Sequence, residues 1–309
     1  MGQQVRVSFL SYTTTPPRAP SAHARARTRA HARSTHLYLI SCAKRLSHNT
    51  QLCLFTSQAA IWTLPLSEFE SNGTSVASTG NNTGQWAGTV HAAAALGPGR
   101  LPGTYALLFD GDGISGDAGQ HISIAGGTTV GGGALSVCVW VRWESFGFWS
   151  RIFDFGNGVN RDNILLANRK TSNTLVWSIQ RGSKHKHVDF AAAVELFKWT
   201  HLCVSVEASG TMRLFTDGIQ RECTGGNACD DGGKGTNGHA PRRLLRSNSY
   251  TGRSNWDNHA YLNGSVADFT LMDGFAVTTE AEAVAIMLAT GTSTTTTNTV
   301  TSTTTTNTV

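Results

Sequence analysis

The sequence lacks acidic residues over its first 67 positions, and it lacks any apolar run of the roughly 20 residues that a membrane-spanning helix needs. The apolar stretch at 37–40 is too short to be the core of a secretory signal. The hydrolase motifs GxSxG and HExxH are absent, and so is an ExDxxE run of paired carboxylates. These absences argue against a membrane-spanning helix and do not favour a hydrolase.

The basic residues are concentrated at the N-terminus. Eight of the 25 lysines and arginines precede the first acid, Glu68, namely Arg6, Arg18, Arg25, Arg27, Arg29, Arg33, Lys44 and Arg45. The rest of the chain has 17 basic and 20 acidic residues, so it carries a formal net charge of −3. A mildly acidic folded part does not favour nucleic-acid binding.

Composition divides the chain into three parts. Residues 1–65 are basic and lack sustained periodicity, which predicts a disordered extension, a targeting peptide or a start codon placed too early. Residues 66–288 are rich in turns and short apolar segments, as in a folded domain. Residues 289–309 contain TSTTTTNTV twice, which predicts a disordered linker or an O-glycosylated stalk. A chain that ends inside a repeat is consistent with a fragment of a longer protein.

The clearest structural signal is residues 199–218, WTHLCVSVEASGTMRLFTDG. Leu202, Val204 and Val206 alternate with more polar residues, as in a strand with two different faces. Ala-Ser-Gly at 208–210 then supplies a turn before a second apolar run, so this stretch predicts a β-hairpin. Asp217-Gly218 predicts a further turn, because glycine tolerates positive φ.

Similar short apolar runs recur between Gly, Asn and Asp turns. Further strands are predicted at residues 106–110, 121–124, 135–143, 151–155, 163–167, 175–179 and 261–272. One helix is predicted at 279–288, where Thr279 and Glu282 have capping-box spacing. Many short strands and one helix predict an all-β, two-sheet antiparallel sandwich or barrel.

Several blocks between residues 64 and 288 resemble a known family in their order along the chain. They are SNGTSVASTGNNTG, ALLFDG, LSVCVWVRW, WSRIFDFGNG, DNILLANR, the hairpin, YTGRSNW and YLNGSVADFTLMD. Together they resemble the laminin-G-like jelly-roll domains of the concanavalin A-like lectin/glucanase superfamily, whose calcium-dependent relatives are the pentraxins. The resemblance implies a jelly-roll β-sandwich that binds glycans or proteins, although a fold alone does not establish a function.

The resemblance also implies a disulfide. It places Cys138 and Cys203 in neighbouring strands, where pentraxin-like domains have a cystine; the alternative is two buried thiols. Cys223 and Cys229 flank a short Gly-rich loop that a second disulfide could close. Paired cysteines would indicate an oxidising compartment.

A calcium site is the next implication of the resemblance. Asp162 and Asn163 match two pentraxin calcium ligands, but calcium takes about six to eight oxygens. The loop after Tyr250 lacks the several carboxylates that pentraxins supply there. Calcium is therefore expected to bind weakly at best, and the alternative is a carboxylate and an amide that tie down neighbouring backbone.

The segment GRSNWDNHAY is the best candidate for ligand contact. It places an aromatic wall among side-chain donors and acceptors, as in sites that orient a sugar ring: Arg253, Asn255, Trp256, Asp257 and His259. The alternative is that Trp256 is part of the core and that its polar neighbours brace the loop. The run KHKH at 184–187 is interpreted as an exposed, basic strand end rather than a metal site.

The function expected from these features is non-enzymatic recognition of a carbohydrate or glycoprotein. A laminarinase-like glycoside hydrolase with a degenerate motif is one alternative, and a purely structural interaction domain of a longer extracellular protein is another. The sequons at Asn72, Asn81 and Asn263, together with the paired cysteines, predict an extracellular or cell-surface glycoprotein.

Overall fold

The structure is a computed structural model that describes residues 87–92, 94–114 and 119–290, together with five short strand segments nearer the N-terminus. Within these parts the chain forms strands and one helix. In chain order the strands are β1 (Tyr38–Ile40), β2 (Cys53–Phe55), β3 (Ala60–Leu64), β4 (Ser75–Ala77), β5 (Thr79–Gly80), β6 (Ala87–His91), β7 (Ala95–Pro98), β8 (Tyr105–Asp110), β9 (His121–Ile124), β10 (Thr128–Val130), β11 (Leu135–Ser145), β12 (Arg151–Gly156), β13 (Ile164–Asn168), β14 (Leu175–Arg181), β15 (Lys184–Phe190), β16 (Thr200–Val206), β17 (Met212–Thr216), β18 (Ile219–Arg221), β19 (Leu244–Arg246), β20 (Asn248–Thr251) and β21 (Asn263–Asp273). The helix α1 is Glu280–Ala289.

Two large antiparallel sheets contain most of these strands. The nine-stranded sheet has the order β18-β17-β16-β11-β21-β3-β5, with β8 and β7 joined to it through β21. The eight-stranded sheet has the order β15-β14-β13-β12-β20-β9-β6-β4. The two sheets pack face to face, and this confirms the predicted two-sheet sandwich.

Aromatic side chains join the two sheets in the core. Phe153 of β12 lies 5.7 Å, ring centroid to ring centroid, from Phe269 of β21 in the opposite sheet, in an edge-to-face contact. Phe155 makes a similar contact with Phe269 at 6.1 Å, and Trp177 of β14 packs against Phe153 at the same distance. Such contacts stabilise the core beyond the area they bury. The apolar residues of the predicted strands therefore fill the space between the sheets.

The predicted hairpin forms β16 and β17, and both faces of β16 are buried. Leu202, Val204 and Val206 face the main core, whereas Cys203 belongs to a second apolar cluster on the outside of the nine-stranded sheet. Cys203 lies directly opposite Cys138 of β11, with their Cα atoms 4.0 Å apart, and the two are joined by a disulfide. This confirms the pairing that the resemblance implied.

The second predicted disulfide is also present. It joins Cys223 to Cys229, and the loop that it closes lies along the outer edge of β15. Backbone N–H···O bonds run from Asp189 to Gly225 at 2.9 Å and from Ala228 to His187 at 2.9 Å. The loop therefore satisfies backbone groups that an edge strand would otherwise expose.

The helix covers the second apolar cluster. Ala283 and Ile286 of α1 pack with Cys138, Cys203 and Met272 on the outer face of the nine-stranded sheet. The residues with capping-box spacing form that box: the Thr279 side chain accepts from the backbone N–H of Glu282, whose carboxylate accepts from the backbone N–H of Thr279. No helix in the described residues is long and apolar enough to cross a bilayer.

The proposed three-part division of the chain stays a prediction. Residues 291–309 and most of residues 1–86 lie outside the described part, as do the sequons at Asn72 and Asn81. Strand β3, at 60–64, pairs with β21, so the sheet includes five residues that composition assigns to the N-terminal extension. Asn263 lies in β21 and its Nδ2 donates to Ser145 Oγ at 2.9 Å.

Candidate functional site

Aromatic rings gather where the loop before β12 meets the loop after β20. The ring of His259 is nearly parallel to the rings of Trp256 and Trp149, at centroid distances of 5.6 and 6.1 Å. Phe148 meets the same imidazole edge-on at 5.8 Å, and Phe148 itself is 43% exposed. Together with Arg151, we call these residues the rim cluster: Phe148, Trp149, Arg151, Trp256 and His259.

A buried carboxylate fixes the position of the second loop. Asp154 of β12 is fully buried, and its Oδ1 accepts from Nδ2 of Asn163 at 2.8 Å and Nδ2 of Asn255 at 2.9 Å. Its Oδ2 accepts from the backbone N–H of Asn255 at 3.0 Å. Charge-assisted bonds of this kind are stronger than neutral ones, so Asp154 anchors the loop that carries Trp256 and His259.

Arg151 supplies the rim cluster with a buried positive charge, beneath the aromatic rings. Only 3% of the residue is exposed, and its Nε lies 3.5 Å from Asp154 Oδ2. Its Nη1 donates to the carbonyl of Trp149 at 3.0 Å, and its Cζ lies 5.2 Å from the centre of the Trp256 ring. Burial lowers the pKa of Arg151, and Asp154 counteracts this effect. The guanidinium thus links the carboxylate below to the aromatic rings above.

His259 is neutral in this environment. Burial, followed by the charge of Arg151, lowers the pKa of His259 to about 3. Arg151 Nη2 lies 3.1 Å from His259 Nδ1, and a guanidinium can only donate, so Nδ1 is the acceptor. The proton of the neutral imidazole is therefore on Nε2, and the ring offers a donor at that nitrogen.

The predicted ligand residues divide into three groups. Trp256 and His259 lie in the rim cluster, and Asp257 is exposed on the same loop. Asn255 is only 8% exposed, and its backbone N–H donates to Asp154, which holds the loop in place. Arg253 faces elsewhere: its Cζ lies 4.7 Å from the centre of the Tyr250 ring.

Four residues of the site are not predicted by the sequence patterns: Phe148, Trp149, Arg151 and Asp154. Phe148 and Trp149 precede the strand predicted at 151–155, Arg151 begins that strand, and Asp154 is an isolated acid within it. A signal is present in the form of a carboxylate between two phenylalanines, at 153 and 155, in a strand whose other residues are mostly apolar. A buried charge needs a partner, so such an acid indicates that other polar residues converge on it.

The two residues implied as calcium ligands, Asp162 and Asn163, are each bonded to other protein groups in this arrangement. Asp162 Oδ1 accepts from Arg242 Nη2 at 2.6 Å and from the backbone N–H of Gly182 at 2.8 Å. Burial raises the pKa of Asp162, but the hydrogen bonds from Gly182 and Arg242 lower it by more, so the pKa lies below its usual value. The amide of Asn163 points to Asp154, and the described residues contain no cluster of three or more His, Cys, Asp or Glu that could hold a metal. Calcium binding at this pair stays a prediction that the surrounding charge opposes.

Comparisons with known proteins agree with this architecture. A family model described as the concanavalin A-like lectin/glucanases superfamily matches residues 115–283. Among curated proteins, none matches the sequence.

Solved structures share the fold at low identity. Domain 4 of AbnA, a GH43 extracellular arabinanase from Geobacillus stearothermophilus, determined in complex with arabinotriose, has a TM-score of 0.50 and 16% identity over 74% of this chain and 99% of that one. The binding domains of botulinum neurotoxin serotype G and of Paraclostridial Mosquitocidal Protein 1 each have a TM-score of 0.50 and 13% identity over 74% of this chain. The match covers 51% of each of these two domains, about half of their length.

Proposed function

Because the chain belongs to the concanavalin A-like lectin/glucanases superfamily, we propose that it is a non-enzymatic recognition module that binds a carbohydrate or the glycan of a glycoprotein. The observation that carries this proposal is the rim cluster. It sets a partly exposed Trp256 beside the neutral donor of His259 and the exposed Asp257. Aromatic faces stack on the C–H faces of sugar rings, and the nearby polar groups would orient the hydroxyls.

The buried base of the cluster supports recognition by a preformed site. Asn255, Arg151 and Asp154 are all at least nine-tenths buried and hold one another through hydrogen bonds and an ion pair. A site whose loop is already ordered loses little conformational entropy when a ligand binds. The arabinanase domain that shares this fold was solved in complex with arabinotriose, which supports the proposal.

The test is binding of the full chain to a glycan array, followed by titration of the best glycan against two variants. Trp256→Ala is expected to weaken binding roughly tenfold or more, because a stacked aromatic ring contributes about 1–3 kcal/mol. Phe197→Ala is the matched control, since Phe197 is an aromatic that is 61% exposed on another loop. Near-UV circular dichroism would show that both variants keep the native packing. Equal affinities of the two variants for the glycan would contradict the proposed site.

A laminarinase-like hydrolase is the competing function, because the superfamily takes its name from lectins and glucanases alike. A retaining glycosidase needs two carboxyl groups about 5–5.5 Å apart that are free to meet the substrate. Asp154, the buried acid beneath the rim cluster, is bonded to Asn163, Asn255 and Arg151 instead. Incubation with β-glucans and a reducing-end assay would decide, and turnover that disappears on substitution of an acid would refute the non-enzymatic function.

We also propose an extracellular or cell-surface location and a folded domain between two tails, with the N-terminal boundary shifted from residue 65 to before β3, which pairs with β21, and the C-terminal tail beginning after α1. The two disulfides and a laminin-G-like domain are typical of extracellular proteins. Limited proteolysis with mass spectrometry would test the division, and the resistant fragment is expected to keep β3 because that strand pairs with β21. Detection of the intact chain only in the cytosol of its source cells would refute the location.

A further inference from the structure

A second polar cluster lies on the outer face of the eight-stranded sheet, across the neighbouring strands β6, β9 and β20. The alternate residues of β9, at 122 and 124, are core isoleucines, so His121 and Ser123 face outward. The register places His91 of β6 opposite His121 and Tyr250 of β20 opposite Ser123. Together with an arginine from the loop after β20, we call these residues the histidine cluster: His91, His121, Ser123, Tyr250 and Arg253.

The two imidazoles of the cluster are stacked and held in place by hydrogen bonds. Their ring centroids are 4.2 Å apart, with the planes inclined by 4°. His121 Nδ1 lies 2.8 Å from the carbonyl of Gly119, which can only accept, so this nitrogen carries a proton. His91 Nε2 lies 2.7 Å from Ser123 Oγ. Because the lone pairs of parallel rings do not converge, the stacked pair is not suited to chelate a metal ion.

Arg253 is a cation without a counter-ion in the described part of the chain. Its Cζ lies 4.7 Å from the centre of the Tyr250 ring, and the residue is half-buried. Its Nε is buried and has no hydrogen-bond partner. The ion pairs among the described residues do not include Arg253. A buried donor without a partner is unfavourable, and an anion that accepts from Nε would remove this cost.

The imidazoles are neutral and respond to the charge of Arg253. Burial, and then Arg253, lowers the pKa of His91. Burial lowers the pKa of His121 to about 4, and the charges of His91 and Arg253 also lower it. The other rings against His121 are those of Tyr250 and Tyr261, at centroid distances of 5.6 and 5.7 Å. An anion bound here would offset the positive charge and raise the pKa of both histidines.

We propose that the histidine cluster binds a phosphate group, as a phosphate monoester or as the free ion, without a metal. Such a group has three terminal oxygens and close to two negative charges. Arg253 can donate two parallel hydrogen bonds to it, and the hydroxyls of Ser123 and Tyr250 are further donors in the same cluster. An imidazole that takes up a proton supplies the second positive charge. A carboxylate, with two oxygens and one charge, would need the guanidinium alone.

This site is independent of the proposed glycan site, although the two share a loop. Arg253 contacts the Tyr250 ring, whereas Trp256, three residues later, contacts His259. Substitutions on one side of the loop therefore test one site at a time.

The experiment is a calorimetric titration of the full chain with inorganic phosphate and, separately, with glucose 6-phosphate, at constant ionic strength. The test variant is Arg253→Gln, and the matched control is Arg161→Gln, which removes an exposed arginine that also lacks an ion pair in the described part. The basic segment before residue 68 is the same in both, so the difference between them is the readout.

We expect Arg253→Gln to bind both probes roughly tenfold more weakly or worse, with the control unchanged. Arg253→Lys keeps the charge but loses the paired donors, so it should weaken binding by a smaller factor. Equal affinities of Arg253→Gln and Arg161→Gln for both probes would overturn the proposal.

A second measurement follows the histidine ring signals by NMR as a function of pH, with and without saturating phosphate. Single His91→Gln and His121→Gln variants assign the signals. We expect phosphate to raise the pKa of both histidines, so that binding takes up protons between the free and the bound pKa. Unchanged pKa values at saturation would show that phosphate binds away from the cluster and would overturn the proposal.

Comparison of ligands separates a phosphate monoester from other anions. Methyl phosphate is expected to bind more tightly than dimethyl phosphate or acetate, each of which carries a single charge, and a chelator should have no effect. Affinity for dimethyl phosphate or acetate equal to that for methyl phosphate, or loss of phosphate binding with chelator, would contradict the proposal. So would a loss of duplex-DNA binding in Arg253→Gln as large as its loss of phosphate binding, since DNA phosphates are diesters. Trp256→Ala should bind phosphate as the unsubstituted chain does, whatever its effect on glycan binding.

Discussion

The carboxylate of Asp154 binds Asn255 through both of its oxygens. Oδ2 accepts from the backbone N–H at 3.0 Å, and Oδ1 accepts from the side-chain amide at 2.9 Å. Asp154 belongs to the middle of a strand, and Asn255 lies one residue before Trp256. The rigid sheet thus sets the position of a loop residue that we propose contacts the ligand.

Asp154→Ala is expected to destabilise the protein severely. It would remove the partner of Arg151, which is only 3% exposed, and leave an unpaired charge; such losses cost about 3–5 kcal/mol. Urea denaturation followed by circular dichroism measures the change in the free energy of unfolding. The control is Asp257→Ala, an exposed carboxylate on the same loop, which should change stability by no more than about 0.5 kcal/mol. Similar values for the two variants would show that the buried network contributes little.

Glycan binding at the rim cluster is expected to be independent of pH between 8 and 5. The pKa of His259 is lowered to about 3, so the imidazole stays neutral over this whole range and keeps its acceptor toward Arg151. Calorimetric titrations at several pH values in one ionic strength would test this. A loss of affinity with a midpoint near pH 6 would mean that His259 titrates as an ordinary histidine.

Stability is expected to fall as the pH falls from about 6.5 to 4, partly because of His201. Its side chain is fully buried without a hydrogen-bond partner for either ring nitrogen, and burial, then Arg100, lowers its pKa to about 4. The unfolded chain, with a pKa near 6.5, takes up the proton first, so this contribution to stability is full above pH 6.5 and is lost toward pH 4. His201→Phe should therefore reduce the slope of unfolding free energy against pH in this window. An unchanged slope would exclude His201 as a source of the pH dependence of stability.

The two disulfides should differ in their effect on stability. Cys138 and Cys203 are 65 residues apart in sequence, whereas Cys223 and Cys229 are separated by 6. Since a longer closed loop restricts the unfolded chain more, replacing the first pair with alanine should cost about 4 kcal/mol and replacing the second about 2 kcal/mol. Guanidinium denaturation of both double variants tests this order. A reversed order would mean that packing around the sulfurs dominates over loop closure.

Much of the fold was predictable from the sequence because local signals agreed. The alternation at Leu202, Val204 and Val206 predicted one strand face, and the Thr279–Glu282 spacing predicted the start of the helix. The predicted bounds of the strands lie within a few residues of the observed ones, and those of β9, at 121–124, are the same. The Cys138–Cys203 bond came from family resemblance rather than from periodicity, since it joins residues far apart in the chain.

The candidate site was less predictable because it depends on register and on long-range polar pairs. A β-bulge lies between Arg151 and Phe153, and it places Arg151 on the same face as Asp154 despite a spacing of three residues. Strand alternation alone would put them on opposite faces. The contact of Asp162 with Arg242 spans 80 residues, so no local pattern could show that a guanidinium lies where calcium was implied.

The loop closed by Cys223 and Cys229 has a consequence for how chains meet one another. Backbone groups of His187 and Asp189 on the outer side of β15 are already bonded to this loop, so that side offers few sites to a strand from a neighbouring molecule. Reductive opening of the bridge would loosen the cover and leave an unsatisfied ladder beside the lysines of 184–187. The cystine-closed loop thus covers a strand edge of the kind through which β-sandwiches can join into aggregates.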